Sequence, residues 1–307
     1  MNEAIITATQ VLIMFLLLMV GFICQKTKLI SDEGSKSLTN IALYIATSAI
    51  IIHSYQIDYD PSIAINLLIV TLFAFLSHGL LILFSSLAFS KKNDQYKVLR
   101  FATVFGNCSF MGIPLLSALL PENGVLYATA YITVFNILLW TYGVVLSVGK
   151  GEKLSLKKIV LSPVILSVII GLFFFFTSIK LPGAIAKTVE YIGDLNTPLA
   201  MIVTGVFVAK SNILNSLKKL DVYLVCFIKL ILVSFIMIII MRFIPSLSMD
   251  VKMAIVVMSG VPTASTSIMF AQKYGNDAVF VGEILVISTI MSLVTLPLLI
   301  FLGTIIW

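Results

Sequence analysis

Charged residues are scarce in this chain, at 11% of 307 positions against 60% hydrophobic residues. Soluble globular domains carry roughly 25% charged and 45–50% apolar residues. The few charges cluster between apolar runs long enough to cross a hydrocarbon core about 30 Å thick, which excludes a water-soluble fold. Histidine occurs only at His53 and His78, which argues against a histidine-based metal centre. The three cysteines, Cys24, Cys108 and Cys226, lie in or beside apolar stretches without a pairing pattern. Packed or lipid-facing thiols are expected there, rather than disulfides or a metal cluster. A Walker A motif is missing: the run from Gly143 to Gly149-Lys150 has the wrong spacing and continues into Gly151, so an ATP-driven pump is excluded. No acid/base or nucleophile constellation falls in the apolar runs, and neither an enzyme with catalytic residues nor a cofactor is expected. The net charge of +6 resides in loops, with no basic stripe of the kind that binds nucleic acid.

What the chain does contain is ten apolar stretches, at about 5–24, 39–56, 62–89, 98–120, 124–148, 158–178, 194–210, 221–244, 251–271 and 277–303. Each reads as a membrane helix, so the expected fold is all-α and polytopic. Turn formers separate them, among them Ser31-Asp32-Glu33-Gly34, Asp60-Pro61 and Tyr274-Gly275-Asn276-Asp277, and no loop is long enough to fold alone. The first stretch carries Glu3, no Lys or Arg ahead of it and no small-residue cleavage site behind it. It reads as a membrane helix, not a signal peptide. Fifteen Lys and Arg follow the odd-numbered stretches and four lie on the opposite side, with Lys229 inside the eighth. The positive-inside rule then places both termini outside a cell membrane.

The two halves, 1–150 and 151–307, echo each other at an offset of roughly 150 residues. Pro114 in the fourth stretch answers Pro262 in the ninth, and Glu122-Asn123-Gly124 answers Tyr274-Gly275-Asn276. Five helices per half is an odd number, so the second copy is expected to insert upside down, as in many secondary transporters. The fourth stretch contains Phe105-Gly106-Asn107-Cys108-Ser109-Phe110-Met111-Gly112-Ile113-Pro114. The ninth contains Ser259-Gly260-Val261-Pro262-Thr263-Ala264-Ser265-Thr266-Ser267. Proline removes a backbone donor and glycine tolerates unwound geometry, so both helices are expected to break in mid-membrane, with new half-helices starting near Pro114 and Thr263. Helix N-termini attract anions. Asn107, Ser109, Thr263, Ser265 and Thr266 could add side-chain hydrogen bonds to a carboxylate. The plainer alternative is two proline kinks with capping hydroxyls and no ligand.

The run from Gly106-Asn107 to Gly112-Ile113-Pro114-Leu115, with Tyr127-Ala128, Tyr131, Asn136 and Trp140-Thr141-Tyr142-Gly143, closely resembles the auxin efflux carrier family. That family includes plant auxin exporters and bacterial permeases for malate and related organic acids. The resemblance spans essentially the whole chain and is looser around Gly260-Val261-Pro262. It implies a scaffold and a transport unit, with helices four and nine crossing at their prolines. It also implies a substrate carboxylate held by Asn107 and by the backbone around Pro114 and Pro262; Cys108, Gly112 and Gly260 belong to the same segments, and Asn136 is a candidate for the cavity wall. Family members often carry a proline in helix two, where this chain has Ile45-Ala46-Thr47-Ser48-Ala49, so a less kinked helix is expected. By the same analogy, the first half is where a homodimer would form.

Lys229 and Glu283 enter the eighth and tenth stretches to similar depth. They are candidates for an ion pair or for coupling to protons or sodium, and snorkelling to the interface is the alternative for Lys229. Asp194 is expected to cap the seventh helix. The leading expectation is a secondary carrier of a small organic anion such as malate or an auxin-like carboxylate. A sodium/proton exchanger or bile-acid type of carrier shares the crossed-helix plan, but would want carboxylates near Pro114 or Pro262. A channel is disfavoured by the absence of a filter motif such as Thr-Val-Gly-Tyr-Gly.

Overall fold

The computed structural model describes residues 2–91, 95–148, 161–210 and 219–307. Lysines 92, 150, 153, 157, 158 and 218, and the first residues of the 158–178 stretch, lie outside the described residues. The chain folds into helices α1 (Asn2–Lys26), α2 (Asp32–Ser54), α3 (Pro61–Ala88), α4 (Tyr96–Val104), α5 (Cys108–Leu119), α6 (Gly124–Ser147), α7 (Pro163–Thr177), α8 (Gly183–Lys210), α9 (Leu220–Arg242), α10 (Met249–Gly260), α11 (Thr266–Lys273) and α12 (Ala278–Ile306). It is a polytopic α-helical protein. Among the described residues no β-strand occurs beyond a single bridge, and α2, α3, α6, α8, α9 and α12 are long and apolar enough to cross a membrane.

Local chemistry sets the helix starts. The hydroxyl of Ser31 accepts from Gly34 N at 3.0 Å, and Asp60 accepts from Ser62 N at 2.7 Å beside Pro61 in the first turn. Ser162 before Pro163, Ser248 and Asp277 cap α7, α10 and α12 in the same way. Each side chain satisfies one of the donors that a helix start leaves open. Asp194 does not serve as a cap: α8 begins eleven residues earlier, at Gly183, and Asp194 is exposed beside the one-residue turn at Leu195. Helix α2 contains a π-helical segment, Ile41–Ala46, where Thr47 Oγ1 donates to Ala42 O at 2.8 Å. The helix is therefore widened although its proline is missing.

Helices α1, α2, α7 and α8 pack into one group, and α3–α6 pack with α9–α12 into another. The densest seam of the first group lies between α1 and α8. A Cβ on Gly21 would overlap the Ile202 carbonyl, and one on Gly205 would overlap the Leu18 carbonyl, so the two backbones touch. Loops expected on one face meet each other, through Lys210–Asp32 and Asn276 Nδ2 to Ser147 O at 3.4 Å. Loops expected on the other face do likewise, through Lys180–Asp58 and Tyr59 N to the Ser178 hydroxyl.

Candidate functional site

The second group is interrupted at its centre. Helix α4 stops at Val104 and α5 starts at Cys108; α10 stops at Gly260 and α11 starts at Thr266. The two gaps lie against each other as an antiparallel bridge between Gly106 and Thr263. Asn107 N donates to Pro262 O at 2.6 Å and Ala264 N donates to Phe105 O at 2.9 Å. Unwound backbone in an apolar interior needs such partners, and here each broken helix supplies them to the other.

The first gap is displaced from its expected place. Pro114 sits in the first turn of regular α-helix after a π-helical segment, Cys108–Gly112, and the chain opens instead at Phe105-Gly106-Asn107. Pro114 is the seventh residue of α5, and the π-helical turn ahead of it accommodates a residue without an N–H, so it need not mark the break. Pro262, by contrast, lies in the second gap itself. Helices four and nine thus cross at Gly106-Asn107 and Pro262-Thr263, so helix nine crosses at its proline and helix four does not cross at Pro114.

The expected site residues divide into those that hold the crossing and those that remain open. Thr263 holds it: its hydroxyl donates to Ala102 O at 3.0 Å and its N–H donates to the Ser288 hydroxyl at 3.2 Å. Gly112 and Gly260 make room for close packing against Met258 and Ser234, and Cys108 packs with its sulfur 4.0 Å from Met258 O. Ser109 is half-buried, with its carbonyl accepting from Asn196 Nδ2 at 3.4 Å. Asn136 is buried on α6 and returns its amide to Ile132 O on its own helix at 2.9 Å. Against these stand Asn107 Nδ2 and the hydroxyls of Ser265, Thr266 and Ser267, all buried and without a partner. Polar atoms in that condition lose about 1–3 kcal/mol each relative to a satisfied state, and all four lie in or directly beside the two gaps.

Lys229 lies at the same place. It sits in a π-helical segment of α9, Phe227–Leu232, and is 1% exposed. A Cβ built on Gly106 would lie 2.6 Å from its Nζ and 2.8 Å from its Cε. The expected pair with Glu283 does not form. Lys219, nearer that carboxylate, takes it at 3.2 Å, and Lys229 does not snorkel to an interface.

Two polar residues escaped the sequence reading. Asn196, fully buried on α8, accepts from Thr47 Oγ1 at 2.9 Å and donates to Ser109 O, tying the two helix groups together beside the crossing. Thr289 on α12 carries another buried, unpartnered hydroxyl. Their only signal is an isolated polar residue in an apolar helix, which needs a buried environment.

Residues 6–300 match the family described as membrane transport protein. The chain belongs to that family. It is the auxin efflux carrier family anticipated from the Gly106–Leu115 run. The membrane transport protein match leaves only a few residues uncovered at either end. An uncharacterized transporter of Methanocaldococcus jannaschii is 24% identical over 301 residues, covering 94% of this chain and 96% of that protein. One from Methanothermobacter thermautotrophicus is 24% identical over 296 residues, covering 94% and 95%. Family and relatives make this chain a multi-pass membrane transport protein.

Proposed function

We propose that this protein is a secondary transporter that carries a small organic anion, such as malate or an auxin-like carboxylate, across the cell membrane by alternating access. The halves 1–150 and 151–307 act as inverted repeats, with both termini outside. One observation carries the reading: Asn107 in the first gap, and Ser265, Thr266 and Ser267 at the end of the second, carry buried polar atoms without partners where two broken helices cross. An amide N–H is a donor only and a hydroxyl can donate, so this is a lining for an acceptor-rich, anionic guest. Antiparallel pairing of the gaps agrees with a two-fold axis in the membrane plane. Ser267 also lines a cavity with Lys97, Ser147 and Asn276, near the face that carries most loop lysines, which supports an access route from that side.

The sodium/proton exchanger reading lacks its central feature. Among the described ion pairs and hydrogen bonds, no carboxylate reaches the crossing. The test is uptake of labelled malate, malonate, succinate and indole-3-acetate into proteoliposomes, with and without pH and sodium gradients. Uptake of one of these that collapses in Asn107→Ala is expected, and the gradient dependence identifies the coupling ion. A sodium or proton flux without uptake of any of these anions, unaffected by Asn107→Ala, overturns the proposal.

A further inference from the structure

Lys229 is a buried amine without a visible counter-charge. None of the ion pairs among the described residues includes it; the four found are Lys180–Asp58, Lys187–Glu190, Lys210–Asp32 and Lys219–Glu283. Cys108 and His78 are titratable groups that interact electrostatically with it, and neither is a carboxylic acid. His78 accordingly offers no negative charge. Its Nδ1 faces Ala74 O at 2.8 Å, and its Nε2 is buried without a partner.

An ammonium buried in an apolar interior is strongly unfavourable unless an anion and hydrogen-bond acceptors accompany it. Two local features hold it there nonetheless. The π-helical segment Phe227–Leu232 widens α9 at that residue, and π-turns recur at functional sites. Gly106 leaves the space that the amine occupies, since a Cβ would stand 2.6 Å from Nζ. The amine therefore lies against Gly106, the residue that pairs with Thr263 in the bridge.

We infer that Lys229 is the counter-ion of the cargo: one carboxylate of the transported anion docks on its ammonium at the crossing, and this single fixed charge makes the site selective for an anion over its neutral analogue. The inference rests on the organic-anion reading above and adds the residue that sets cargo charge. Asn107 and the Ser265–Ser267 hydroxyls then complete the carboxylate's hydrogen bonds. They are uncharged, so the carboxylate is neutralised by Lys229 alone.

The test compares each acid with its own amide. Binding of malate, succinate and indole-3-acetate, and of malamide, succinamide and indole-3-acetamide, is measured on the purified full chain by ligand-dependent thermal stabilisation. The chains compared are wild type, Lys229→Met, Lys229→Arg and Gly106→Ala. In wild type the bound acid is expected to be preferred over its amide by about 100-fold, the scale of a charge-assisted bond to a buried ammonium. In Lys229→Met the acid loses about that factor while the amide is unchanged, so the ratio falls to near one. Lys229→Arg keeps part of the preference. Gly106→Ala displaces the amine without removing it and lowers the ratio in the same direction. A variant that merely misfolds loses acid and amide alike, and Gly106→Ala then supplies the ratio. If an anion binds wild type and both Lys229→Met and Gly106→Ala keep the wild-type ratio, the inference is overturned while the transport proposal stands. If wild type neither binds nor transports any of these anions, the transport proposal fails and takes the inference with it.

Discussion

The α1/α8 seam and the α4–α5/α10–α11 crossing both bring backbones into direct contact, and they use that closeness for opposite ends. At the seam, Gly21 and Gly205 let two unbroken helices touch, and the nearby Thr204 hydroxyl bonds back to Ala200 O at 2.8 Å. Near it, one buried side-chain atom among the described residues, Gln25 Oε1, is left without a partner. At the crossing the helices are broken, backbone bonds pass between them, and side-chain donors are left without partners. Close packing of small residues is a general way to join helices in lipid. Only where the backbone is also unwound does it create a polar hole. The seam closes on backbone contact, whereas the crossing leaves buried donors open, which is what the proposed anion site requires.

That contrast is open to attack by mutation, and the largest effect is expected at the seam. Gly21→Leu must push α1 off the Ile202 carbonyl, at a cost of about 3 kcal/mol or more. The expected outcome is loss of monodisperse protein in detergent and a steep drop in melting temperature. A variant that melts like wild type would show the seam to be soft. At the crossing, Asn107→Ala removes an unpartnered donor. The empty protein is expected to melt at or above the wild-type temperature while anion affinity falls roughly 10–100-fold, the range for a hydrogen bond to a charged group. Equal losses of stability and affinity would erase the distinction drawn here.

Between the two regions stands Asn196, which bonds Thr47 on one side and Ser109 on the other. Asn196→Ala is expected to destabilise by about 1–2 kcal/mol and to change uptake rate more than binding affinity, because it links the groups without touching the cargo. Uptake kinetics beside equilibrium binding separate these readouts. The smallest effect is expected for Ser265→Ala, about 1 kcal/mol or fivefold in affinity with no loss of stability. A destabilised Ser265→Ala would mean that the hydroxyl has a structural partner.

Much of this architecture is legible in the residues. Uninterrupted apolar runs demand helices, and glycine with proline in mid-run announces a break. The position of the first break is less so. Pro114 is the conspicuous residue, but a π-helical turn ahead of it absorbs its missing donor, and the less conspicuous Gly106-Asn107 carries the opening. Pro262 happens to lie in the gap, so the second break falls where expected. The Lys229–Glu283 pairing failed for another reason. Depth along a helix can be counted at about 1.5 Å per residue, but the face on which a side chain emerges depends on packing, and a π-helical segment shifts that face further. Lys219, at the mouth of α9, was close enough to take Glu283 first. The Thr263 hydroxyl illustrates a third limit: a short polar side chain in an unwound segment serves the backbone as readily as a guest.

The reciprocal glycines of the seam also constrain how such a chain can change over generations. A methyl group at position 21 meets backbone, not a side chain that could shrink in response, and the same holds at position 205. No substitution on the partner helix restores the fit short of moving the helix itself. Once one glycine is lost and the helices have separated, losing the other adds little, so Gly21→Ala with Gly205→Ala is expected to be less harmful than the sum of the two. The pair is therefore hard to leave one step at a time, and a lineage that does leave it has little reason to keep the second glycine.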